Sequence, residues 1–511
     1  MERVFSRRVL SSLALLLAPA LAAADSGKPV YEANIASLSH YQAPEWYQDA
    51  KFGIWAHWGP YSVPAFGGRH AAEWYPRHMY DTSDSAGHHS HHKATYGSPS
   101  EFGYKDFIPL FTAERFDADH WIDLAEAAGA QFYSVVALHH DGFSMYDSDH
   151  TQWNSVEMGP KRDIVDELFT AARARGMKVG VTNHFAHNLD YYEHLFEYGG
   201  DWAPEYQDLY SHGGEPDEWY MNRWWNRTAE LVDKYQPDLY YFDWGWNRPS
   251  MLEAFEGQRE RFLAYYYNAA IAQGKGEFGD PNVVMNFKGR TLPRSVAIQD
   301  VERGGRNQVS DHVWQADTSI SKHSWSYSEV DDYWSTTEML HTLIDVVSKN
   351  GVMMLNFGPR ADGTVPDEYG TVLREMGQWL AMNGEAIYET RPYQIHGEGP
   401  TVRTAKNRLQ LKRHGYNYGA EDIRFTRNKA NDTLYVTALA MAEAGQVRVT
   451  SLNAAAFDMA GIASVRTLDG QAISWRQEQD ALILTWPQGM AESVAYVAKL
   501  QFKETLPKLK R

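Results

Sequence analysis

The chain contains 0 cysteines in 511 residues. That excludes disulfides, cysteine nucleophiles and thiolate metal centres. Positive charge is in short supply: 48 Lys and Arg stand against 66 Asp and Glu, for a net charge of −18. Phosphate binding draws on a basic face, so nucleic acid and anionic membranes are excluded as expected partners. No apolar run after the first two dozen residues is long enough to read as a membrane span, and no long internal repeat is present. What is abundant is aromatic: 18 Trp and 31 Tyr within 14% aromatic content. Flat apolar faces with a polar edge suit sugar rings and also suit large cores. Hydrophobic content of 43% with 22% charge is ordinary for a soluble globular chain, and the length predicts two or three domains.

The first residues read as a bacterial-type export signal. Arg3, Arg7 and Arg8 precede an apolar run from Val9 to about Leu21, and the small residues "ALAAA" follow. Residues 1–24 are expected to be a signal peptide, removed on the way to the periplasm or the medium. The adjacent arginines of "SRRVL" leave general and twin-arginine export both open.

From about residue 50 to 390, short β-rich runs alternate with helical stretches. Eight runs stand out: "FGIWAHWG" (52–59), "FYSVVALHH" (132–140), "KVGVTNH" (178–184), "LYYFDWG" (239–245), "VVMNFK" (283–288), "SVAIQDVER" (295–303), "VWQADTSIS" (313–321) and "VMMLNFGP" (352–359). The alternation predicts a (β/α)8-like TIM barrel over residues 25–394, with a doubly wound sheet as the alternative. After about residue 395 come short strands with turn signals, from "LQLKRHG" and "DIRFTRN" to "SVAYVAKLQF". They predict a C-terminal antiparallel β-sandwich over 395–505. The tail "KETLPKLKR" reads as frayed, and "DSAGHHSHHKATYGSPSEFG" as a solvated loop rather than a metal site.

In such barrels the reacting groups come from the C-terminal ends of the strands. That rule selects His57, His139, His140, His184, Asp243, Glu302, Arg303 and Trp314. Asp243 lies among Tyr240, Tyr241, Phe242, Trp244 and Trp246, where an uncompensated charge costs several kcal/mol, about 2–7 for a polar group alone. Two carboxylates in different environments are what acid/base cleavage of a glycosidic bond requires. Asp243 as nucleophile and Glu302 as acid form one such pair, and spacing alone leaves other pairs open. The double histidine suits sugar hydroxyls or a metal; both rings face one way only if the backbone breaks, for which Gly142 is suited.

Taken together, "WYQDAKFGIWAHWGPYSVPAF", "EWYPRHMY", "HHDGFSMYDSDHTQWNS", "GPKRDIV", "YYFDWGW", "SWSY" and "NGVMMLNFGPRADGTVP" resemble the α-L-fucosidases of glycoside hydrolase family 29. The resemblance covers most of residues 40–500. It implies exo-acting, retaining removal of terminal α-L-fucose from a fucosylated oligosaccharide or glycan, with no metal and no cofactor. It implies Asp243 as nucleophile and a fucose pocket lined by His57, Glu73, Trp74, His139, His140, His184, Tyr241, Arg303 and Trp314, with Asp141 orienting His140. Many members carry the acid in a Trp–Glu dipeptide where this chain has Trp314–Gln315, and an amide donates no titrating proton. Other members place the acid on the preceding strand-end loop, about a dozen residues earlier, where Glu302 stands; the resemblance thus implies Glu302 as the acid/base, with Glu73 in reserve. The "KVGVTNHFAHN" strand also departs from the family pattern, and His184 is expected to take a sugar or leaving-group contact there. Related activities remain as alternatives: an α-L-galactosidase, a non-catalytic sugar-binding protein, or a metal-dependent hydrolase using the histidines. The oligomeric state is not encoded in any of these features.

Overall fold

The computed structural model describes residues 29–67, 71–401, 418–442 and 445–510. The expected signal peptide and the "LQLKRHG" strand lie outside the described residues.

Eight parallel strands close into a barrel in chain order. They are β1 (Phe52–Ala56), β2 (Phe132–Leu138), β3 (Lys178–Asn183), β4 (Leu239–Phe242), β5 (Val284–Lys288), β6 (Ile298–Asp300), β7 (Trp314–Ser319) and β8 (Gly351–Phe357). Seven fall within the runs read from the sequence, and β8 starts one residue before its run, at Gly351. Nearly every residue in them is buried, because helices cover the outside and side chains fill the inside. β8 pairs back onto β1, from Phe52 opposite Met353 to Ala56 opposite Phe357, and closes the ring.

The intervening helices start where the sequence provides caps. Asp117, Asp163 and Asp217 each accept a backbone N–H at the starts of Ala118–Ala127, Ile164–Ala174 and Glu218–Tyr235. Ser335 and Glu338 form a reciprocal capping box before Thr336–Ser348. The repeats are irregular in one place: loops without helix join β5 to β6 and β6 to β7.

Downstream lie the antiparallel strands β9 (Arg391–Glu398), β10 (Ile423–Arg427), β11 (Thr433–Ala438), β12 (Gln446–Val449), β13 (Ile462–Arg466), β14 (Ser474–Gln477), β15 (Leu482–Thr485) and β16 (Tyr496–Phe502), which form a five-stranded sheet, order β13-β16-β11-β10-β9, and a three-stranded sheet, order β12-β15-β14. β9 (Arg391–Glu398) and β14 (Ser474–Gln477) were not anticipated. Ile423, Phe425, Leu434, Val436, Leu482 and Leu484 form a separate core there. The sandwich is tied to the barrel by a fully buried ion cluster: Asp345 of helix Thr336–Ser348 meets Lys349 at 2.7 Å and Arg424 of β10 (Ile423–Arg427) at 2.7 Å.

Two expectations fail. The tail is docked, not frayed: Leu506 is buried and its N–H donates to the Asn431 carbonyl at 2.7 Å. The His-rich stretch contains a helix, His88–Thr95, whose histidines take local partners. His88 bonds Asp84, His89 the Met79 carbonyl and His92 the Phe102 carbonyl, while His91 stacks on Phe66.

Candidate active site

A cavity of about 310 Å³ opens at the C-terminal ends of the barrel strands. β1 contributes Trp55 and, just past its end, His57; the loop after it contributes Glu73 and Trp74. His139 and His140 both line the cavity. They can do so because β2 stops at Leu138 after a register shift and Gly142 takes φ +85°, where a Cβ would meet the Leu209 carbonyl oxygen at 2.4 Å. His184 follows β3, Asp243 and Trp244 follow β4, Lys288 ends β5, and Glu302 and Arg303 follow β6. Since β6 ends at Asp300, alternation does not separate Glu302 from Arg303; Arg303 sits at φ +45° and both reach the cavity.

The carboxylate among aromatics has its compensation. Asp243 is 4% exposed, with the Lys288 ammonium 3.0 Å from Oδ1 and His140 Nε2 3.4 Å from Oδ2. Burial alone would raise its pKa; the ammonium and the His140 contact outweigh burial and hold it well below the ordinary carboxylate range. Lys288 also reaches Asp317 Oδ2 at 3.1 Å and Glu302 Oε2 at 3.4 Å. Burial disfavours its charge, but the surrounding carboxylates raise it well above an ordinary lysine. One cation thus ties the nucleophile candidate to the acid candidate.

Burial favours the neutral form of three of the histidines. Burial drives His57 down to about 3 and takes His139 and His184 well below the ordinary value. His57 Nδ1 lies 2.8 Å from Asn356 Oδ1, an amide oriented by its own bonds to Ser319 and the Trp325 carbonyl. His140 Nδ1 lies 2.7 Å from the His184 carbonyl. The His57 Nδ1 therefore carries the hydrogen and leaves Nε2 as an acceptor, whereas His140 gives its Nδ1–H to the carbonyl and turns Nε2 to the Asp243 carboxylate.

Glu73 Oε2 accepts from Ser324 Oγ at 2.9 Å and from the N–H groups of Trp325 and Ser326 at 3.0 and 3.3 Å. Burial nonetheless raises its pKa, and Oε1 has no hydrogen-bond partner among the described residues. The Arg303 guanidinium lies 4.6 Å over the Trp325 ring and donates to the carbonyls of Ser321 and Ser324. It shapes the rim.

Three expected assignments change. Trp314 begins β7 instead of ending it, so it lies at the far end of the strand, where its indole donates to the Lys349 carbonyl. Tyr241 points into the barrel beneath the cavity, with its hydroxyl 3.1 Å from Asp317 Oδ2. Asp141 does not orient His140; it accepts from the Tyr104 hydroxyl at 2.5 Å and the Phe143 N–H. Gln315 is buried inside the barrel, bonded to Asp300 at 2.9 Å and to Tyr47 at 2.8 Å, and does not line the cavity.

Sequence reasoning missed Lys288, Trp55, His323 and Trp325, all of which line the cavity, as does Trp244 beside Asp243 at the end of its strand. Lys288 obeys the strand-end rule that found the others. Two groups have the spacing for a cation: His57, His139 and His184, and His140, His184 and Asp243, with ligand atoms within 4.8 Å in each. In the second, the carboxylate already carries the Lys288 ammonium.

Comparison with known proteins places this geometry. The sequence pattern of the family described as Alpha-L-fucosidase matches residues 18–385. The tissue alpha-L-fucosidase of Rattus norvegicus is 33% identical over 393 residues, 76% of this chain and 78% of the relative. The plasma alpha-L-fucosidase of Homo sapiens is 30% identical over 471 residues, 88% of this chain and 87% of the relative. The crystal structure of the Thermotoga maritima alpha-fucosidase in complex with fucose superposes with a TM-score of 0.72 at 29% identity, covering 92% of this chain and 100% of that one.

Proposed function

The chain belongs to the alpha-L-fucosidase family of glycoside hydrolases, and from that premise we propose that it is an exo-acting, retaining α-L-fucosidase with Asp243 as nucleophile and Glu302 as acid/base. The observation that carries the assignment is the shared ammonium. Lys288 Nζ lies 3.0 Å from Asp243 Oδ1 and 3.4 Å from Glu302 Oε2, which bounds the separation of those oxygens at about 6.4 Å. That bound supports the roughly 5–5.5 Å of a retaining pair over the roughly 6.5–9.5 Å of an inverting one.

A cavity of about 310 Å³ with a buried Trp55 floor suits one terminal sugar, which supports exo action. The acceptor nitrogen of His57 and the free oxygen of Glu73 suit ring hydroxyls. The faces of Trp74, Trp244 and Trp325 suit the C5 methyl, whose burial is worth about 0.8 kcal/mol. Asp243 attacks the anomeric carbon while Glu302 gives its proton to the departing oxygen, and a fucosyl ester forms. The ester removes the charge on Asp243. Lys288 then faces the carboxylates of Glu302 and Asp317 alone, which favours Glu302 as the base that deprotonates the incoming water. Water attack returns fucose with its configuration retained and restores Asp243.

The apolar, arginine-led N-terminus supports export to the periplasm or medium, where a fucosylated oligosaccharide or glycan is the substrate. The test is hydrolysis of nitrophenyl α-L-fucoside beside nitrophenyl α-L-galactoside. The fucoside should be preferred. Asp243→Gly should be inactive, with azide restoring turnover as a glycosyl azide. Glu302→Ala should lose far more rate on a natural leaving group than on nitrophenolate, and equal losses on both would reassign the acid, with Glu73 next in line.

A further inference from the structure

We propose that His57, His139 and His184 form a divalent-cation site of the zinc class at the base of the sugar cavity, filled in competition with the sugar. The three rings come from the ends of three adjacent strands and face one another, with centroids 5.7 Å (His57–His139), 5.4 Å (His57–His184) and 5.0 Å (His139–His184) apart. Their ligand nitrogens lie within 4.8 Å of one another. A tetrahedral ion bound at about 2.0–2.1 Å spaces its ligands roughly 3.3 Å apart, so small rotations of three rings close the site.

The supply of lone pairs supports the same reading. His139 Nδ1 and His184 Nε2 are buried with no hydrogen-bond partner among the described residues. His57 gives its Nδ1–H to Asn356, the arrangement that fixes a metal-binding tautomer and leaves Nε2 free. Asp243 nearby supplies negative charge, although its own oxygens are engaged by Lys288 and His140. That engagement favours the all-histidine trio over the set containing Asp243. The His57 Nε2 lone pair is also the one offered to a sugar hydroxyl, and all three rings line the cavity that the sugar would fill, so the two ligands compete.

The trio stands on the histidine geometry, its competition with the sugar rests on the proposed function, and metal binding is measured without turnover, so failure of one is read apart from failure of the other. Metal-free full-length protein is titrated with zinc chloride by calorimetry, alone and with saturating L-fucose. It is compared with His139→Ala/His184→Ala and, because the surface helix is also histidine-rich, with His89→Ala/His91→Ala. Loss of a group that merely supports a metal ligand costs about 10–100-fold in affinity, so loss of two ligands should cost more than about 100-fold. The surface variant should keep the cavity's affinity, and L-fucose should weaken zinc binding in the wild type. Crystals of the wild type soaked in zinc should show an anomalous peak on the trio, which requires no variant to fold. Absence of that peak, zinc affinity unchanged in the cavity variant, or zinc and L-fucose binding without mutual effect would each overturn the site.

Discussion

Lys288→Met removes the cation that Asp243, Glu302 and Asp317 share. A unit charge pair about 4 Å apart at an effective dielectric near 20 is worth about 4 kcal/mol. The 3.0 Å contact to Asp243 is closer than that, but one ammonium serves three carboxylates and its own burial cost disappears with it. About half, ~2 kcal/mol, is the expected net loss for Asp243, or about 1.5 pKa units at 1.36 kcal/mol each. The sign follows from the chemistry. In the proposed mechanism Asp243 attacks as an anion, and it is held well below the ordinary carboxylate value, so activity should fall as pH drops through its pKa. Without the ammonium that pKa rises and the acidic limb of kcat/KM moves to higher pH by about 1.5 units. The assay is the pH dependence of kcat/KM on nitrophenyl α-L-fucoside for wild type, Lys288→Met and Lys288→Arg, the last of which retains the charge and should stay near wild type. Superimposable acidic limbs for wild type and Lys288→Met would refute the role given to the ammonium.

Gln315→Glu should not raise activity, because residue 315 lies inside the barrel against Asp300 and Tyr47; it should instead lower stability by about 3–5 kcal/mol in urea unfolding, as an unpaired buried charge does. Lys51, 2% exposed, is pushed down to about 7 by burial, so its charge costs stability fully below that pH and progressively less up to the unfolded value near 10.5. Lys51→Met should therefore raise the melting temperature at pH 6, with the gain shrinking towards pH 10. Arg424→Met breaks one arm of the buried Asp345 cluster that ties sandwich to barrel; with Lys349 still on Asp345, the loss should be about 3 kcal/mol in thermal or urea unfolding.

The barrel was legible because parallel strands buried on both faces leave continuous apolar runs, and because capping residues mark the helices between them. Asp243, Glu302, His57 and the histidine pair were legible because barrel chemistry collects at strand ends. Trp314 was misplaced for the same reason: the rule needs the strand's direction, and Trp314 opens β7. Tyr241 was misplaced by depth: it shares the inward face with Asp243 but lies two residues earlier, beneath the cavity. Lys288 was passed over because a lone lysine closing "VVMNFK" reads as solvated until the three carboxylates it faces are known. The docking of the tail depends on Asn431 and Ala456, partners too distant in the chain for local pattern to announce. In the His-rich stretch composition suggested a loop, while the helix rests on contacts with Met79, Phe66 and Phe102.

The central claim is that the carboxylate of Asp243 forms the covalent bond to the sugar. Incubation with 2-deoxy-2-fluoro-α-L-fucosyl fluoride, followed by intact-mass measurement and peptide mapping, tests it directly. One fluorofucosyl group per chain on the peptide carrying Asp243, absent in Asp243→Asn, is the predicted result. A label on Glu73, Glu302 or Asp317, or full turnover by the Asp243→Asn protein, would contradict it.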